Sequence, residues 1–176
     1  MQEQLRVSAQ IRTVRPHLNK RIIIEKIIAA LATELESYTT SAKAAFAAAT
    51  DPQSKAENKY DTRSLEASYL ARGQGQQALE IMRSLQQYET LPVRDFIAGA
   101  KIDIGALVEL ERDGERTFFF FGPRAGGTEI ECEGKEVLVI TPQSPMGQEL
   151  LGRKAGDTAQ LPAGRAKAAF HIAAVS

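Results

Sequence analysis

The 176-residue chain is long enough for one large domain or two small ones. Its 22 Lys and Arg cancel its 22 Asp and Glu, so no global field holds it on nucleic acid or an anionic membrane, and any such contact must be local. A single Cys and two His exclude an internal disulfide or a zinc cluster built from those residues, which suits a reducing cytoplasm. No apolar run reaches the ~18–20 residues of a membrane span.

Residues 1–18 hold Arg6, Arg12 and Arg15 but lack the apolar block of a secretory signal. They show no clear helical or strand period, so a disordered extension is expected, with an upstream start codon assigned in error as the alternative.

From Ile24 the apolar positions run Ile24, Ile28, Leu31, Leu35, Tyr38, Ala42, Ala45 and Ala49. Alternating steps of four and three are the seam of a coiled coil. No Gly or Pro interrupts 20–50, and the Ala-rich second half favours helix. A rod of roughly 45 Å follows at 1.5 Å per residue. Its seam tapers from Ile and Leu to Ala, so a partner helix comes closest near Ala49.

Asp51-Pro52 interrupts the pattern, since proline disfavours helix at the residue before it and is tolerated at a new helix start. Helix is expected to resume around Lys55 or Glu57 and to run to about Tyr88, carried by Leu65, Tyr69, Leu79, Met82 and Leu85. Gly73 and Gly75 weaken it, at up to ~1 kcal/mol each relative to Ala. Two long helices joined by a short break pack antiparallel, with a tip around residues 50–61.

After Leu91-Pro92 the texture changes. Runs at 102–110, 117–121, 130–132, 137–140 and 168–175 are β-prone, and Asp113-Gly114, Gly122-Pro123, Gly126-Gly127 and Glu133-Gly134 separate them as turns. Ser144-Pro145 opens one or two helical turns ending at Gly152. The division is thus 1–18 as extension, 19–91 as coiled-coil hairpin and 92–176 as a small, mostly antiparallel β domain, an α+β chain.

The segment Ser144-Pro145-Met146-Gly147-Gln148-Glu149-Leu150-Leu151-Gly152-Arg153-Lys154-Ala155-Gly156-Asp157 resembles the corresponding stretch of Gre-family bacterial transcription elongation factors. There, Ser-Pro precedes a short helix, a Gly-Lys-like turn and an acidic loop leading into the last strands. Asp51, Glu57-Asn58 and Tyr60 are similar to the Asp…Glu-Asn…Tyr tip of those factors, and 20–176 follows their order of parts, ending in an FKBP-like domain. The resemblance implies a hairpin that enters the secondary channel of RNA polymerase. Its tip acids there share a Mg²⁺ with the polymerase and assist cleavage of backtracked RNA at its 3′ end. On that reading Asp51 and Glu57 are the catalytic and metal-holding pair, with Asp61 a further candidate. The chain itself is no enzyme, binds no cofactor stably, and works as a cytoplasmic monomer with RNA polymerase and nascent RNA as partners and no membrane. Five residues separate Asp51 from Glu57, more than in family tips, and Asn58 to Tyr60 is one residue shorter. These departures favour an alternative, a non-cleaving regulator in the same channel that modulates initiation or opposes cleavage factors.

Each of these residues also has a structural reading. Asp51 before Pro52 suits the N-cap of a new helix start and Glu57 a first-turn acid favoured by the helix dipole. Lys55 and Lys59 would neutralise a bare acidic cluster, or touch RNA phosphates. Phe118 to Phe121 read as a core strand with an aromatic pair left for the hairpin base or the polymerase rim. Arg124-Ala125-Gly126-Gly127 reads as a turn or a phosphate cradle, and His171 as structural. A prolyl isomerase on an FKBP-like fold needs an aromatic pocket, often floored by Trp, and the chain has no Trp.

Overall fold

The computed structural model describes residues 18–51, 63–164 and 166–176. Helix α1 spans Lys20–Thr50 and α2 spans Arg63–Glu89. Strands β1 (Leu107–Arg112), β2 (Glu115–Phe121), β3 (Glu129–Cys132) and β4 (Lys135–Ile140) come next. A short helix α3 (Pro145–Leu150) leads to β5 (Thr158–Ala163) and β6 (Ala166–Val175). The α+β architecture is therefore the expected one.

Helix α1 begins at Asn19, whose side chain accepts from the Arg21 N–H at 3.0 Å. That bond satisfies one of the backbone donors a helix start leaves without a partner. Every position of the expected α1 seam is buried or half-buried. Ile23 and Ile27, which the seam leaves out, are fully buried as well. They form a second apolar stripe that meets the sheet at β3, where α1 packs.

The expected inner face of α2 needs correcting. Leu65, Tyr69, Leu79 and Met82 are all more than half exposed, Tyr69 at 66%, and only Leu85 of the expected set faces inward. The inner face is instead Ser64, Ala67, Ala71, Gln74, Ala78, Ile81, Leu85 and Tyr88, each buried or half-buried. These also step by three and four, so the coiled-coil period holds, on a stripe that is mainly small from Ser64 to Ala78 and large from Ile81 to Tyr88. The small half lies towards the Ala end of α1, where Ser64 meets Ala49.

The six strands form one sheet in the order β3-β4-β2-β1-β6-β5. All neighbours are antiparallel except β2 and β4, which pair in parallel from Phe118 with Val137 to Phe121 with Ile140. Two differences from the sequence reading stand out. Strand β1 begins at Leu107, not 102, because residues 103–105 turn, with Gly105 at φ 90°. Strand β5 was not expected from its residues: Thr-Ala-Gln-Leu-Pro-Ala has little β-branched content, and it lies at the sheet edge, where Pro162 is tolerated.

Alternation along the strands divides the interior. Leu107, Phe120, Val137 and Val139 face the hairpin base, meeting Ile23, Ile27, Leu31, Ile81 and Tyr88. Val108, Leu110, Phe119, Phe121, Ile140 and Ile172 face the other way, against Ile102 and Leu150 of α3. The phenylalanine run is thus core on both faces, with Phe118 and Phe120 towards the hairpin.

Candidate functional site

At the far end of the hairpin α1 stops at Asp51, an exposed residue whose extended backbone (φ −62°, ψ 123°) makes it the C-cap. Thr50 closes the last turn by donating its hydroxyl to the Phe46 carbonyl at 2.9 Å. Ser64 donates across the pair to the Ala49 carbonyl at 3.1 Å, which ties the first turn of α2 to the last turn of α1. Asp51 therefore sits beyond this bridge between the helices, at the end of α1. The other two expected acids, Glu57 and Asp61, lie outside the described residues, as do Lys55 and Lys59.

The sequence reading missed the surroundings of this tip. The Ala-lined end of the pair leaves a groove of about 750 Å³ between the helices, walled by Phe46, Ala49 and Ala71 and flanked by Lys43 and Arg72. Neither cation lies on a seam, and only their helical phase relative to the acids could have drawn notice. Among the described residues no three His, Cys, Asp or Glu side chains come together as a metal site. One exposed carboxylate supplies a hard oxygen ligand of the kind Mg²⁺ takes when its other ligands are waters and phosphates.

At the root, the two helices are fastened at separate points to segments outside the strands. Tyr88, 1% exposed, donates its hydroxyl to the Arg124 carbonyl at 2.8 Å. Burial pushes its pKa well above the ordinary tyrosine value. The Arg124 guanidinium reaches back to Glu80 of α2 at 3.0 Å. On α1, the Lys20 ammonium donates to the Arg94 carbonyl and stands 4.9 Å from the Phe96 ring centroid. Its burial lowers the Lys20 pKa, with Asp95 opposing.

A cleft of about 860 Å³ opens beside this root, between Glu80, Ser84 and Gln87 of α2 and the Arg124, Thr141 and Ser144-Pro145 segments of the sheet domain. The Ser-Pro-Met-Gly motif lies on its wall, and each of three residues has a local task. Ser144 caps α3, accepting from the Gly147 N–H at 3.0 Å and donating to the Thr141 carbonyl at 2.9 Å. Pro145 takes the first helical position, where its missing N–H costs nothing. Gly147 lies so close to Thr141 that a Cβ would stand 1.8 Å from its carbonyl oxygen.

The 124–127 loop is a turn: the Gly127 N–H goes to the Val139 carbonyl and the Thr128 N–H to that of Ala125, at 2.8 and 3.2 Å. His171 is an exposed strand residue paired opposite Glu111 and Thr158.

Residues 98–176 match the family described as "Transcription elongation factor, GreA/GreB, C-term". The C-terminal domain belongs to that family. The matched GreA/GreB domain includes all six strands, α3 and the Ser-Pro-Met-Gly motif. Among solved structures the chain is similar to "GreA factor homolog 1 (Gfh1)" of Thermus thermophilus, at 23% identity over 85% of this chain and 94% of that one, with a TM-score of 0.37. It is likewise similar to Thermus aquaticus Gfh1, at 25% identity over 84% and 92%, with the same TM-score. No curated protein gave a match. Among the described residues no helix is long and apolar enough to cross a membrane.

Proposed function

We propose that this chain is a transcription elongation factor that binds the secondary channel of RNA polymerase and stimulates cleavage of backtracked RNA. The observation that carries this reading is a GreA/GreB C-terminal domain bearing, at its N-terminal side, a hairpin of 31- and 27-residue helices that ends in acids. In this reading residues 92–176 dock on the polymerase and residues 19–91 are the arm that delivers the tip. The chain acts as a monomer in the cytoplasm, and the polymerase keeps the nuclease activity.

Asp51 and Glu57, with Asp61 a further candidate, supply carboxylate oxygens to a Mg²⁺ shared with the polymerase. Such an ion activates water and neutralises charge on the leaving oxygen. Supporting this, Asp51 is exposed at the end of the 31-residue helix α1. The cations Lys43 and Arg72 behind it suit the phosphates of an RNA 3′ end.

The second reading is a regulator that fills the same channel without promoting cleavage, and the wide spacing of Asp51 and Glu57 favours it. RNA cleavage by halted, backtracked polymerase, with and without the protein, separates the two. A cleavage factor shortens the RNA, and Asp51→Asn or Glu57→Gln abolishes most of that effect while polymerase binding persists. Wild-type protein that binds yet leaves RNA length unchanged overturns the first reading and supports the second.

A further inference from the structure

The contact between Tyr88 and Gly122 is more than packing. A Cβ at Gly122 would lie 2.0 Å from the Tyr88 hydroxyl oxygen, 3.1 Å from the ring carbon bearing it and 3.0 Å from Val139 Cγ1. Gly122 has no positive φ, so its backbone does not demand glycine; the hydroxyl does. That hydroxyl cannot swing aside freely. It is hydrogen-bonded to the Arg124 carbonyl, and its ring is wedged at 6.5 Å from Phe120 in the core shared by hairpin and sheet.

We propose that Tyr88 is a positioning residue: seated on Gly122, it is the stop that sets the angle of the hairpin against the sheet domain, and hence where the tip arrives. Glu80, about two turns before Tyr88 on α2, pairs with Arg124, and Lys20 on the Arg94 carbonyl holds α1. The hairpin is thus held at its root on both helices, with Tyr88 and Lys20 buried and the Glu80 pair half exposed.

Leverage makes the angle consequential. The axis from Tyr88 to the residue-63 end of α2 is roughly 37 Å, so a ~10° turn at the root carries that end about 6 Å. Chemistry that depends on a carboxylate beside a reacting phosphate does not survive such a shift, since misplacement of ~1 Å already costs about 10²-fold. That consequence for RNA rests on the function proposed above; the stop itself is measurable without polymerase.

The test uses the full chain with Cys132→Ala, spin-labelled at Ala47→Cys near the tip and Lys135→Cys on the sheet, both exposed positions. Dipolar distance measurement on the free protein should give a narrow distribution. Gly122→Ala should shift its mean by several ångströms, and adding Tyr88→Phe should restore it, because removing the hydroxyl removes the 2.0 Å clash. An unchanged mean in Gly122→Ala, or a shift that Tyr88→Phe does not reverse, overturns the proposal. Should Gly122→Ala not fold, Tyr88→Phe alone decides: a broadened distribution supports the stop, and an unaltered one refutes it. In the polymerase assay the same variants should change cleavage while leaving binding in place, which a general loss of fold would not do.

Discussion

The coiled-coil seam and the folded chain rank two neighbouring isoleucines in opposite order, which makes Ile27→Ala and Ile28→Ala a decisive pair. In a free hairpin Ile28 is on the seam and Ile27 is beside it. In the structure Ile27 is fully buried between the helices and the sheet, whereas Ile28 is only partly buried. Ile→Ala removes three carbons, worth about 2.4 kcal/mol by transfer at ~0.8 kcal/mol each. Ile27 has core atoms from both α2 and the sheet around it, so the site cannot collapse and the cavity adds to the cost. A total of about 3–4 kcal/mol is expected, inside the range of about 2–5 found for such truncations. Ile28→Ala should cost roughly half as much, since part of its surface already meets water. Urea unfolding followed by far-ultraviolet circular dichroism gives both values. If Ile28→Ala proves the more costly, the hairpin base does not lie on the sheet and the shared core is wrong.

Truncating Leu79 or Met82 on the exposed face of α2 should change stability by no more than about 1 kcal/mol, whereas Leu31→Ala should cost about 2–5 kcal/mol, as thermal melts would show. Gly147→Ala forces a Cβ onto the Thr141 carbonyl and should unfold or rearrange α3, seen as loss of its amide resonances in an ¹⁵N spectrum. Glu149 has its pKa lowered, first by the hydrogen bond from Lys167 and then by that ammonium's charge. A depressed folded-state pKa gives stability that is present above the unfolded carboxyl value and lost as pH falls through the folded one. Lys167→Met should therefore raise the Glu149 pKa in a carboxyl-carbon NMR titration, and an unmoved titration would discount the pair.

The first helix was legible because its seam carries the signal that patterning detects: large apolar side chains at steps of four and three. The second helix misled for a physical reason. Opposite the Ala end of α1 its inner face is built of small residues that carry little hydrophobic signal, so Ser64, Ala67, Ala71 and Ala78 face inward while Leu65, Tyr69 and Leu79 remain outside. Ile23 and Ile27 escaped the seam because they answer to the sheet, a partner encoded more than eighty residues away. Strand β5 escaped because pairing with β6, not its own composition, makes it a strand. Of the candidate site, Asp51 was legible as a helix end. The groove cations Lys43 and Arg72 and the Tyr88–Gly122 seat were not, since each needs two separate segments to be brought together.

The sheet's strand order bears on how the chain is made as well as how it stands. The hairpin is complete in sequence by residue 89, and its contacts are with itself until the sheet exists. The sheet is different: β6 is last in sequence yet lies between β1 and β5, and its end is locked by paired bonds between Leu107 and Ser176. During vectorial synthesis β1 to β4 can assemble early, but β1 keeps one bare edge and β5 has no neighbour until β6 emerges. An open edge is where a nascent chain pairs wrongly. Shortening the chain by its last ten residues would therefore not trim a tail; it would leave the half-built sheet permanently in its most aggregation-prone form.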